Sequence, residues 1–146
     1  ETMSIRQISV FLENKPGTLN QMTKVLADHD VDMRALSLAE TKDFGIARII
    51  VNDVYAATNV LKEADFVASL SPVLAYAIPD EAGGLNKLLD IFTEAGVNIE
   101  YMYAFLGGKD TKHAYMIFRV ADTKSAEAAL IARGLMPLSQ EDISNI

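Results

Sequence analysis

Apolar positions along the chain change their spacing in a fixed order. Residues 5–12 are dense in β-branched and apolar side chains and read as a strand. Leu19, Met22, Val25, Leu26 and His29 then recur at three- and four-residue intervals, which predicts a helix with one apolar face. Pro16 suits its first turn, where a missing N–H costs nothing. Residues 33–40 and 44–51 read as two strands joined by a turn around Thr41-Lys42-Asp43. Ala57, Val60, Leu61 and Ala64 mark a second helix, and residues 66–70 a short last strand. The order is βαββαβ.

The order then repeats. Gly17-Thr18-Leu19-Asn20 matches Gly83-Gly84-Leu85-Asn86, 66 residues on, and Val31-Asp32-Met33 matches Val97-Asn98-Ile99. Val51, Asp53, Ala57 and Leu61 match Val120, Asp122, Ala126 and Leu130 at an offset of 69. The extra residues fit a longer turn, Leu106-Gly107-Gly108-Lys109-Asp110. The second copy reads as strands over 73–78, 99–106, 114–120 and 135–138, with helices over 85–95 and 126–132. A boundary is expected at Ser71-Pro72, where Pro should break one strand and Val73 start the next, giving domains 1–71 and 72–146. Two α+β units of split βαβ order predict two ferredoxin-like sandwiches, each an antiparallel sheet with both helices on one face. A copy this small has little core, so the two are expected to pair side by side. The strand over 99–106 is apolar at both parities except at Glu100, so cover on both faces is expected.

Net charge narrows the partners. The 13 basic residues are scattered among 20 acidic ones, for a net charge of −7, which argues against nucleic acid. No apolar run is long enough to span a membrane. The start, Glu1-Thr2-Met3-Ser4-Ile5-Arg6, has no apolar leader core, and with no cysteine in the chain the expected location is cytoplasmic. A small uncharged or zwitterionic ligand, or a protein partner, fits this balance.

The segment richest in chemistry is Glu13-Asn14-Lys15-Pro16-Gly17-Thr18-Leu19, between the first strand and first helix. Gly17 lets backbone approach closely, and the helix start offers unpaired N–H groups and partial positive charge to a carboxylate. An ordinary tight turn capped by Asn14 would look the same. The run ENKPGTLNQMTKVLADHDVDM, repeated as AGGLNKLLDIFTEAGVNIEYMYAF, resembles the ACT domain family and is similar to the regulatory domain of phosphoglycerate dehydrogenase. The resemblance spans nearly the whole chain and implies tandem ACT domains that bind a free amino acid between paired modules. One module would supply the loop and its partner the residue that starts the second strand. Carried over, these are Asn14, with Leu12, Glu13, Lys15, Pro16, Gly17, Thr18 and Leu19, facing Asn98 and Ile99. The reciprocal site would use Asp80, Gly83, Gly84, Leu85 and Asp32. It departs from the family in having Asp for Asn twice, and Ala82 stands where the first copy has Pro16. Two ionised Asp residues only accept hydrogen bonds, so this second site is expected to be the weaker, with one amino acid bound per chain. Leu12 stands where the family has His, and with these departures the serine specificity of the dehydrogenase domain is not carried over to this chain.

Other chemistry is sparser. His29 ends a helix and His113 opens a strand, without acidic neighbours at metal spacing, so no metal and no cofactor is expected. No nucleophile motif surrounds either His, Asp80-Glu81 reads as a solvated loop pair, and Gly107-Gly108 as a turn without the flanking pattern of a phosphate loop. Arg48 and Arg119 suit cross-strand pairing with carboxylates. The expectation is an amino-acid-sensing regulatory protein, not an enzyme. It would be a homodimer through the Tyr101, Tyr103 and Phe105 face, signalling to a partner enzyme of amino-acid metabolism. The alternative is a structural, protein-interaction module of the same fold with no ligand.

Overall fold

In a computed structural model, residues 5–40, 42–109 and 111–146 are described. Thr41 and Asp110, both expected in hairpin turns, and the chain start at 1–4 lie outside the described residues. The chain divides into two compact units. One is Arg6–Ser71 and the other Pro72–Ile146 together with Ile5.

The first unit runs β1 (Ile5–Glu13), α1 (Thr18–Asp28), β2 (Met33–Glu40), β3 (Phe44–Val51), α2 (Val54–Glu63) and the opening of β4 (Val67–Pro79). Its strands lie in the order β2-β3-β1-β4. β1 and β3 are antiparallel, with Ile8 opposite Ile49, Val10 opposite Ala47 and Leu12 opposite Gly45. Alternation along a strand sends Ile8, Val10, Leu12, Ala47, Ile49 and Val51 to one face, where Met22 and Leu26 of α1 and Ala57 and Leu61 of α2 close the core. Each fully buried Leu or Ile contributes about 1.5–3 kcal/mol, so the core rests on the period read from the sequence. His29 is not part of it. It is exposed at the end of α1, with its Nδ1 2.9 Å from the Val25 carbonyl.

The second unit continues β4 and adds α3 (Gly84–Glu94), β5 (Ile99–Ala104), β6 (His113–Val120), α4 (Thr123–Ile131) and α5 (Gln140–Asn145), with strands ordered β4-β6-β5. Leu74, Tyr76, Ile78, Leu88, Phe92, Phe118, Val120 and Leu130 form its core. Phe92 and Phe118 lie 4.8 Å apart between ring centroids. On β5, Met102 packs against that core, while Tyr103, of opposite parity, is only 9% exposed. Tyr101 and Phe105 are half-buried.

Three expectations are corrected. Pro72 does not break the chain into two strands; β4 runs through it without interruption. Pro lacks a donor, and the ladder of β4 on β6 starts beyond it, with Leu74 opposite Phe118, while the Pro72 carbonyl still accepts from Arg119 Nη1 at 3.1 Å. Residues 135–138 are not a ladder strand. They are tied to β4 by the Leu138 N–H, which donates to the Ala75 carbonyl at 2.7 Å, and Pro137 beside it has no N–H to offer a ladder. The third is α5, which the periodicity missed. It is set by a capping box in which the Ser139 hydroxyl takes the Asp142 N–H and the Asp142 carboxylate takes the Ser139 N–H.

Candidate ligand site

A cavity of about 280 Å³ opens in the first unit where β1 passes into α1. Its walls are Leu12, Glu13, Asn14, Lys15, Thr18, Leu19, Leu38, Glu40 and Gly45. The register explains the space. Leu12, Gly45 and Glu40 stand side by side across β1, β3 and β2 on the helix-covered face. Gly45 has no side chain, so the row is open in its middle. A methyl group placed there would make ordinary contact with the Ala39 carbonyl at 3.4 Å and Leu38 Cδ1 at 3.6 Å.

The loop above that gap is held by its own backbone. Gly17 adopts φ 91°, in the left-handed region where a Cβ is strained, and turns the chain into α1. The Thr18 hydroxyl donates to the Glu13 carbonyl at 2.7 Å and reaches the Lys15 carbonyl at 3.1 Å. No side chain caps α1 and no acidic residue lies in its first turn, so the amides at its start keep their donor capacity toward an anion. Asn14 Nδ2 donates to Glu40 Oε2 at 3.3 Å, and Lys15 pairs with Glu13 at 3.0 Å. Both members of that ion pair are exposed, and such pairs are worth about 0–1 kcal/mol, so a ligand can rearrange them at little cost. Leu12, Leu19 and Leu38 make the remaining wall apolar.

Of the residues expected at this site, Leu12, Glu13, Asn14, Lys15, Thr18 and Leu19 come together, with Pro16 and Gly17 in the same loop. Leu38, Glu40 and Gly45 were not anticipated. A lone Gly inside the β3 run was the available signal, since Gly in a strand marks a close approach or a gap. Asn98 lies in the other unit, in a shallow depression with Gly96, Val97, Asp122 and Ser125, and Ile99 follows it at the start of β5. Asp32 has its carboxylate 3.1 Å from Arg34 Nη1, and its backbone N–H donates to the Asn52 side chain. Asp80 lines a cavity of its own in the second unit, whereas Gly83, Gly84 and Leu85 belong to the start of α3. Gly84 is a packing point: a Cβ there would run into the Pro79 carbonyl. Arg119 is 3.7 Å from Glu100, the cross-strand pairing expected of it. Among the described residues no group of His, Asp and Glu is arranged to hold a metal, and no helix is long and apolar enough to cross a membrane.

Two α+β units with the same order of strands and helices and a core of the same plan define a tandem α+β fold. The chain belongs to the ACT domain pair family, whose profile matches residues 3–146. A solved structure of the protein BT0572 from Bacteroides thetaiotaomicron is 34% identical, with a TM-score of 0.89 over 99% of this chain and 98% of that one. The regulatory subunit of aspartate kinase from Thermus thermophilus, in a ligand-free form, shares the fold at 18% identity and TM-score 0.63, over 88% of this chain and 90% of that one. Its counterpart from Thermus flavus does so at 16% and 0.54, over 90% and 93%. Among curated proteins no sequence matches.

Proposed function

We propose that this ACT pair binds a free amino acid in the cavity beside the β1–α1 turn and passes the bound state to a separate polypeptide, acting as a regulator rather than as an enzyme. One observation carries the reading: Glu40, Asn14, the uncapped start of α1 and a wall of leucines converge on one cavity. A zwitterion needs an acceptor for its ammonium and donors for its carboxylate. Glu40 offers the first, and the α1 amides and Asn14 the second. The leucines suit an aliphatic side chain. That a regulatory subunit of aspartate kinase shares the fold supports the idea of a partner enzyme of amino-acid metabolism. A ligand moves such a regulator only through different affinity for its two states.

The test is calorimetry with the twenty amino acids, backed by thermal shift. The expected outcome is one aliphatic amino acid bound per chain. A ligand at 100 times its dissociation constant adds about 2.7 kcal/mol of stability. Gly45→Ala, which fills the gap without a clash, should weaken binding about tenfold or more while the melting temperature of the free protein holds. Asn14→Ala should do the same, and the same titration on Asn98→Ala decides whether Asn98 contributes. If no amino acid binds at millimolar concentration, the pair is a protein-interaction module instead.

A further inference from the structure

The second unit has a cavity that shares Asp80, Ala104 and Ala114 with the place equivalent to the first and otherwise lies over the β5–β6 hairpin, and its chemistry is different. About 330 Å³ in volume, it is lined by Asp80, Phe105, Gly108, Thr111, His113 and Tyr115, with small residues completing the wall. By the repeat, Asp80 replaces Asn14, Ala114 replaces Gly45 and Leu106 replaces Glu40. The Lys15 position becomes Glu81, and among the described residues lining the cavity there is neither Lys nor Arg.

Two features fix the working groups. The Asp80 N–H donates to the Lys112 carbonyl at 2.8 Å, beside the rung that joins Pro79 to His113, so its backbone is anchored at the rim and its carboxylate is exposed there. Phe105 N–H donates to the Tyr115 carbonyl at 3.0 Å, and the two rings stand 5.8 Å apart, tilted by 50°. Gly108 completes the wall. A Cβ there would sit 3.2 Å from the Tyr115 ring and 3.1 Å from Ile146 Cγ2, so the backbone lies directly against both. A carboxylate at the rim repels a ligand carboxylate and attracts a cation, and ring faces attract the same cation.

We propose that the second unit carries a binding site of its own for an organic cation, whose protonated amine or guanidinium meets Asp80 while its body lies on the Phe105 and Tyr115 rings. Such a ligand has no free carboxylate, and the site does not depend on the first cavity holding an amino acid.

Agmatine and phenethylamine are the probes, titrated into the full chain by calorimetry. One equivalent of at least one of them should bind below millimolar concentration. Asp80→Asn keeps the shape, sits on an exposed loop and removes the charge; it should weaken binding about tenfold or more, as expected for loss of a charge-assisted contact. Tyr115→Leu should weaken it as well, and Gly45→Ala, in the other unit, should leave it unchanged. The proposal is overturned if neither amine binds, if Asp80→Asn binds them as well as the parent, or if Gly45→Ala abolishes the signal. Failure of the amino-acid reading would leave each of these outcomes legible.

Discussion

Tyr76 is the residue whose environment makes the sharpest demand. It is fully buried, with its ring edge-on to Phe92 at 5.8 Å, and its hydroxyl has no hydrogen-bond partner among the described residues. Burial, and after it the charge of Glu127, raises its pKa above the ordinary value. A phenol normally titrates near 10, and here the fold holds it neutral well beyond that. Its contribution to stability is therefore complete below about pH 10 and is lost as the pH climbs above it. Tyr76→Phe should remove that alkaline loss and, by deleting an unsatisfied buried oxygen, match or exceed the parent by about 1 kcal/mol at pH 7. Chemical denaturation at pH 7 and pH 11 measures both; a large loss at pH 7 would mean that the hydroxyl is satisfied after all. The cavity shows what is legible residue by residue. Glu13 through Leu19 could be picked out because they are contiguous. Leu38, Glu40 and Gly45 reach the same place only through strand register, which a linear reading does not contain.

At the scale of elements, the four long helices all leave in the same way. The residue after each exit donates back to the last turn: Val31 to Leu26, Phe66 to Leu61, Val97 to Phe92 and Leu135 to Leu130, at 2.9–3.0 Å. Each of these exits needs a left-handed residue just before the donor. The second unit supplies Gly96 and Gly134, at φ 70° and 82°, and the first has Asp30 and Asp65, at φ 58° and 67°. Non-glycine residues pay for that conformation, Asp less than most. Asp30→Gly and Asp65→Gly should each raise stability by about 0.5–1 kcal/mol, or about 1–4 °C in melting temperature for a chain of this size. A fall in either would show that the Asp side chain contributes more than its backbone costs. Elements with a strong period, α1 and α3 among them, were readable within a residue or two. β4 and residues 135–138 were not, because Pro72 was read as a strand break while Pro137 was given no weight inside a strand. Pro72 lies off the β6 ladder and is tolerated, whereas residues 135–138 hold to β4 through the Leu138 N–H.

For the whole molecule, the duplication was legible, because two strings of matched residues at nearly constant offset leave few other folds. Assembly was less so. β5 is bonded to β6 along one edge, and an unpaired strand edge invites another chain. A homodimer through that edge predicts a light-scattering mass twice the 15.9 kDa of the chain at micromolar concentration. Ala104→Arg, on an exposed edge position, should halve it. A charge at Tyr103 would be a poor test, since that ring is buried within a single chain and the variant would unfold rather than dissociate. The contact of Ile146 with Gly108, and of Gly108 with the Tyr115 ring, has a practical use. The chain has no cysteine, so Asn145→Cys, on an exposed position beside that contact, could carry one environment-sensitive fluorophore at a defined place. Its emission would change when the neighbouring rings take up a ligand and stay constant when only the first unit's cavity fills, turning the protein into its own optical reporter of which compartment is occupied.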